Sequence, residues 1–299
     1  MSATARPEQA AQGAGTIYTL AAAAGFAAVS IFTSMAIAAG LSLATVLAWR
    51  YTLAAIALVS WVGARNYKRI RPNEMLRLVG LGGFGQALMV YVALSSLAYI
   101  PAATLAFLFY TYPAWVALVQ AARGAERLDG RRALALALSF AGIGVMVGMP
   151  GAAALDWRGI ALALGAAAIY GAYIPMMRYL AKDHPVAPVS AYTKIGSALA
   201  FLVLAVSDKS FTYRFDMDTW WVLIALTLFS TVLPGVFFLM GLVRLGPVRT
   251  AIVSTVEPFL TALLGVLVLS QTLTLPTVLG GLLIVVAVVM LQFRRDRVA

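Results

Sequence analysis

The sequence has no cysteine, one histidine and little charge. Without cysteine there is no disulfide framework, zinc ribbon or thiol nucleophile. The histidine, His184, stands between Asp183 and Pro185 with no partners that would make a metal site or relay, and reads as a solvated loop residue. No H-E-x-x-H, P-loop or nucleophile-elbow pattern occurs. No metal, cofactor or catalytic residue is therefore expected, and ATP-driven pumping by this chain alone is not. Only 11% of the 299 residues are charged, against about a quarter in an ordinary soluble domain. So little charge cannot cover a water-facing surface.

What the chain has instead is apolar side chains, 62% of the residues, at a mean hydropathy of +0.91. That composition points to an outer surface facing lipid. A membrane-crossing helix needs about 20 mostly apolar residues. That ruler finds ten segments: Ile17 to Ala38, Leu43 to Val62, Leu76 to Ala98, Ala102 to Ala122, Ala133 to Met149, Gly159 to Leu180, Pro188 to Val206, Trp220 to Leu242, Val248 to Leu269 and Thr277 to Phe293. The expected fold is an all-α polytopic membrane protein. The small residues near Ala36 to Gly40 loosely resemble a signal-peptidase site. The run before them is long for a signal peptide, so it reads as a retained first span.

The net charge of +11 would suggest nucleic acid in a soluble domain, but the basic residues sit in the short gaps between apolar runs. Ten spans place seventeen Lys and Arg on the side of both termini and three (Arg158, Lys209 and Arg214) on the other. Cytoplasmic loops are the basic ones, so both termini are expected in the cytoplasm and the protein in a bacterial inner membrane, with lipid and no nucleic acid as its surroundings.

Features recur about 145 residues apart. Tyr112-Pro113 corresponds to Glu257-Pro258, Ala117-Leu118 to Ala262-Leu263, Ile100-Pro101 to Gly246-Pro247 and Arg50 to Lys194. The expected organisation is a tail over 1–16, a five-helix unit over 17–149, a connecting loop over 150–158, a second unit over 159–293 and a tail over 294–299. Five is odd, so the second unit enters the membrane from the opposite side, as in the inverted repeats of secondary transporters.

The stretch Thr250 to Leu291 resembles the carboxyl half of an EamA-type domain of the drug/metabolite transporter superfamily. The resemblance is carried by Glu257-Pro258, the small residues after it, Gln271 where the family usually has Glu, Leu273 and Gly280-Gly281. Pro101 to Val147 resembles the first copy through Pro113, Glu126, Leu128, Gly142 and Gly144, and Arg50 matches the basic residue often found in the second helix. The resemblance implies two inverted five-helix repeats and a secondary exporter of small molecules, acting as a monomer. Within the superfamily the chain is most similar to bacterial amino-acid exporters, including those for aromatic amino acids. Other metabolites or cationic drugs are alternative substrates; a passive channel and an intramembrane enzyme are readings from other classes.

Arg50, Lys194 and Glu257 lie well inside predicted spans, where a charge costs about 2.5–3.5 kcal/mol to insert. Glu257 suits a substrate ammonium or a coupling proton, and Arg50 or Lys194 a carboxylate or a gating role. The plainer alternative is that they pair with helix-end carbonyls or with one another. Ser30, Thr33 and Ser34 share a helix face, as do Ser254, Glu257 and Thr261, and Gln86 is isolated among glycines. Tyr110, Tyr112, Tyr170 and Tyr173 stand at mid-span, where tyrosines line a cavity or pack a bundle core. Pro113, Pro175, Pro234 and Pro258 each remove an amide from an apolar span, which makes them candidate hinges or packing kinks.

Overall fold

In a computed structural model the described residues are 5–65, 70–122, 130–148, 155–181, 183–245, 250 and 253–292. They are helical apart from short connections and turns, with no strand among them. The helices are α1 (Ala5–Ala38), α2 (Leu43–Ala64), α3 (Pro72–Ala98), α4 (Ala102–Phe109), α5 (Tyr112–Ala122), α6 (Gly130–Gly148), α7 (Trp157–Ala181), α8 (Val186–Ser207), α9 (217–245), α10 (Glu257–Leu269) and α11 (Leu275–Gln292). Six of them contain stretches long and apolar enough to cross a membrane; the stretches Ala102–Val116, Ala133–Met146, Glu257–Leu269 and Leu275–Met290 are shorter but equally apolar in character. Large apolar side chains point outward from mid-helix, Val203 and Leu267 each being more than two-thirds exposed. With few charges to cover it, that surface fits lipid rather than water.

Local chemistry sets the helix ends. Gly40, at φ +93°, turns the chain between α1 and α2, a conformation open to glycine at no steric cost. Ser42 then caps α2 by accepting from the amide of Thr45 at 3.1 Å, and its hydroxyl donates to Ser210 Oγ at 2.8 Å. Asp216 caps α9 through Thr219 N at 2.9 Å. Prolines precede α4 and α8, at Pro101 and Pro185, where their missing amides cost no helical hydrogen bond.

Several expectations need correction. The first helix begins at Ala5, twelve residues before its apolar run, because the Ala-, Glu- and Gln-containing tail favours helix beyond the lipid-compatible stretch. The fourth apolar run is not one helix: it breaks at Tyr110 and Thr111, between α4 and α5. The ninth breaks at Thr255 and Val256, just before α10. Each break lies immediately ahead of the dipeptides Tyr112-Pro113 and Glu257-Pro258, where the proline ring removes an amide and crowds the carbonyl four residues earlier. His184 is not free in solvent: its Nε2 lies 3.6 Å from Glu74 Oε2 and its side chain is 15% exposed. Residues 1–4, most of the expected connecting loop (150–154), Glu126, Leu128 and the tail 294–299 lie outside the described residues.

Packing between helices is reciprocal. α1 packs against α9 and α10, while α7 packs against α3 and α5; α2 pairs with α8, α4 with α10 and α6 with α11. The third and ninth helices each contain a π-helical stretch, Leu78–Phe84 and Leu228–Val232. A wider turn of this kind displaces side chains from the regular helical face. These stretches lie where the interior polar groups gather.

Candidate functional site

α1, α2, α3, α4, α5, α7, α8, α9 and α10, with the two breaks, enclose a cavity of about 370 Å³. Its size falls in the range of small-molecule sites, roughly 300–1,000 Å³. Of the residues singled out in the sequence, Ser30, Arg50, Gln86, Tyr110, Tyr112, Tyr170, Lys194, Ser254 and Glu257 line it. Ser34 does not. Tyr173 does not line it either; its ring stacks on Tyr170 at 6.1 Å and its hydroxyl donates to the Gly82 carbonyl at 3.1 Å.

The two interior cations are held in the same way from opposite halves of the chain. Arg50 Nε on α2 donates to Thr231 Oγ1 at 2.8 Å. Lys194 Nζ on α8 donates to Gln86 Oε1 at 2.9 Å. Thr231 lies within the second π-helical stretch and its hydroxyl donates to the Leu226 carbonyl at 3.0 Å. Gln86 follows the first π-helical stretch by two residues and also accepts from Ser197 Oγ at 3.3 Å. Ser197 lies 2.9 Å from the Gly83 carbonyl. Both cations flank the ring of Tyr51, Arg50 at 5.3 Å and Lys194 at 5.0 Å from its centroid, distances at which a ring attracts positive charge.

Among the described residues neither cation makes an ion pair with a carboxylate, and Arg50 Nη1 is buried with no hydrogen-bond partner. A buried guanidinium nitrogen without an acceptor is costly.

Glu257 forms the other pole. Its Oε2 lies 2.9 Å from the Tyr110 hydroxyl, which is also 2.8 Å from the Ser254 carbonyl. The surrounding wall is aromatic: Tyr112 and Tyr170 meet edge to face at 4.8 Å, and Phe109 stacks on Tyr170 at 5.4 Å. Thr261 bridges this pole to α1, its hydroxyl lying 3.2 Å from the Ala27 carbonyl and 3.1 Å from the Glu257 carbonyl, with one hydrogen between them.

Of the candidate hinges, Pro113 and Pro258 follow the two helix breaks and Pro234 follows the second π-helical stretch, whereas Pro175 sits inside the unbroken α7. Gln271, where a family carboxylate was expected, accepts from the amide of Ala102 at 3.2 Å and so caps α4. That work needs a carbonyl oxygen and no charge. Tyr51 and Thr231 were not singled out in the sequence. Thr231 was reachable, since it stands 145 residues after Gln86, the spacing of the repeat.

The model of the EamA-like transporter family matches residues 13–148 and again residues 157–293. No curated protein matches the sequence. A solved structure described as "Crystal structure of protein" superposes with a TM-score of 0.63 at 18% identity, over 93% of this chain and 96% of its own, a likeness of fold.

Proposed function

The chain belongs to the EamA-like transporter family, whose members move small molecules across a membrane, and from that premise we propose that it exports amino acids, aromatic and hydrophobic ones and their analogues, by alternating access. The observation that carries this reading is the charge layout of one cavity: two cations without carboxylate partners, one carboxylate, and a tyrosine-rich wall. A zwitterion with a large apolar side chain answers all three. Its carboxylate fits Arg50 and Lys194, its ammonium Glu257, and its ring the faces of Tyr112 and Tyr170. A lipophilic cation or a purine would use the aromatic wall and leave two buried cations unanswered, which ranks those substrates second.

In this reading ten segments cross the membrane, α4 and α5 counting as one, and form two inverted five-helix units over 17–149 and 159–293. The basic loops support an orientation with both termini in the cytoplasm of a bacterial cell. The reciprocal helix packing supports the inversion, as does the reciprocal holding of Arg50 by Thr231 and Lys194 by Gln86. The paired helix breaks and the π-helical stretches are the places where each unit would bend to open one mouth and close the other. The protein works as a monomer, and Glu257 takes up a coupling proton.

The test is transport by purified protein in liposomes, with labelled tryptophan, phenylalanine, leucine, adenine and a cationic dye. Saturable, gradient-driven movement of the amino acids is expected. Saturable movement of the dye and of no amino acid would overturn the substrate assignment, and unsaturable leakage would point to a channel. Glu257→Gln should abolish stimulation by an imposed pH gradient; undiminished stimulation would remove the proton from that residue.

A further inference from the structure

Three oxygens meet where the two helix breaks face each other: Glu257 Oε2, the Tyr110 hydroxyl and the Ser254 carbonyl. The carbonyl is there because of Pro258. In a continuous helix the amide of residue 258 would donate to the carbonyl of residue 254, and proline has none. The Tyr110 hydroxyl stands in that donor's place.

The number of hydrogens decides whether this cluster is complete. A phenol carries one O–H, a carbonyl carries none, and a carboxyl group carries one only when protonated. With Glu257 protonated, its O–H donates to the Tyr110 oxygen and the Tyr110 O–H donates to Ser254. Every contact then has a hydrogen. When the carboxyl proton leaves to water, one hydrogen remains for two acceptors. It turns to the carboxylate, because a charged acceptor forms the stronger bond. The Ser254 carbonyl then faces a phenolic lone pair and loses the donor that replaced its helical one.

We propose that Tyr110 is the positioning residue through which the protonation state of Glu257 reaches the backbone: the protonated carboxyl completes a Glu257–Tyr110–Ser254 chain that braces the break before α10 from both sides, and its deprotonation turns the phenol to the carboxylate, releases the Ser254 carbonyl and loosens that break. This deepens the reading of Glu257 as the coupling group and rests on it. Tyr110 belongs to the break before α5, and Ser254 and Glu257 flank the break before α10, so the chain joins the two units at the points where each helix is already interrupted.

Other ionisable groups border the same space. Tyr112 from α5 and Tyr170 from α7 line the same cavity as Glu257, as neutral phenols. Arg50 and Tyr51 from α2 and Lys194 from α8 line the cavity, while α1 offers only the Ser30 hydroxyl and the Ala27 carbonyl. None of these replaces the phenol, since none is within hydrogen-bond distance of both the carboxylate and the freed carbonyl among the described residues.

The test is amide hydrogen exchange on the full chain, corrected for intrinsic rates, followed over segments 108–114 and 253–260 from mildly acidic to mildly alkaline pH. Wild type should be better protected in segment 253–260 at acidic pH, by about tenfold, the scale of one buried neutral hydrogen bond, while segment 108–114, which keeps its Tyr110–Glu257 contact in both states, should change little. Tyr110→Phe should show the alkaline level at every pH. Glu257→Gln, whose carboxamide donates to the phenol without titrating, should keep the acidic level throughout. Pro258→Ala restores an amide donor to Ser254 and should hold segment 253–260 protected at all pH. A Tyr110→Phe protein with the wild-type pH profile, or a Glu257→Gln protein locked at the alkaline level, would overturn the proposal; if Tyr110→Phe does not fold, the other two variants decide. Transport measured on the same preparations separates the two readings. The pH-dependent protection without amino-acid transport overturns the function alone, and transport with a Tyr110-independent profile overturns the latch alone.

Discussion

Gly83 on α3 and Gly196 on α8 meet backbone to backbone: a methyl group on either would overlap the main chain of the other helix. That approach brings Gln86 within reach of Lys194 and Ser197 within reach of the Gly83 carbonyl. One pair of missing side chains therefore positions a charge in the cavity.

Gly83→Ala and Gly196→Ala should each force α3 and α8 apart and destabilise the protein by about 1–3 kcal/mol, the usual cost of overpacking. Gly80, three residues away on the same π-helical stretch, has open space around it, so Gly80→Ala should be near neutral. Thermal unfolding of the purified protein checks the contrast. Equal midpoints for Gly80→Ala and Gly196→Ala would show that the close approach carries no cost.

Lys194→Met should raise KM for tryptophan by about tenfold or more, since a hydrogen bond to a charged group contributes roughly 1.5–3 kcal/mol. Tryptamine has the ring and the ammonium but no carboxylate, and its KM should change little. A loss shared equally by the two compounds would assign Lys194 to structure rather than to substrate.

Tyr170 contacts Tyr112, Phe109 and Tyr173 through its ring. Tyr170→Phe keeps those faces and should retain transport, while Tyr170→Ala should weaken competition by aromatic amino acids about tenfold, given ~0.5–1.5 kcal/mol per aromatic pair beyond area burial. Competition by a small aliphatic amino acid should fall less. The same loss for every amino acid would show that the ring is packing alone.

Asp216 titrates outside the membrane-spanning segments. Its carboxylate is held below the usual range, chiefly by hydrogen bonding to Thr219. A folded-state pKa lowered in this way contributes stability above the unfolded value, and that stability is lost as pH falls through the folded one. Asp216→Asn should therefore unfold at a lower temperature than wild type at neutral pH. The gap should close in acid, below about pH 4. A gap that persists unchanged in acid would place the stabilisation in the cap's shape and not in its charge.

Much was legible from residue types and their spacing. Seven of the nine residues marked for a cavity, Glu257 among them, lie along one, and so do Arg50 and Lys194, marked for charge or gating, because an ionisable or polar group placed within an apolar span has few stable positions other than the interior. Pro113 and Pro258 announced helix irregularities but not their form: a missing amide is local, whereas a full break also needs a neighbour to satisfy the freed carbonyl. At Pro258 that neighbour is Tyr110, 144 residues before Ser254. Tyr173 and Ser34 carried the same sequence signal as residues that line the cavity and yet lie off it, since helical spacing fixes which residues share a face and not which way the face turns.

Composition and span length alone determined that this is a helical membrane protein, because too few charges exist to solvate the surface of so long a chain. The repeat spacing alone related Arg50 to Lys194. Only the tertiary structure decided that each cation is held by a neutral oxygen from the other half of the chain and that Glu257 meets a phenol rather than a cation. Those outcomes depend on how closely α3 and α8 approach and where two helices break. Both are settled by packing between segments far apart in sequence.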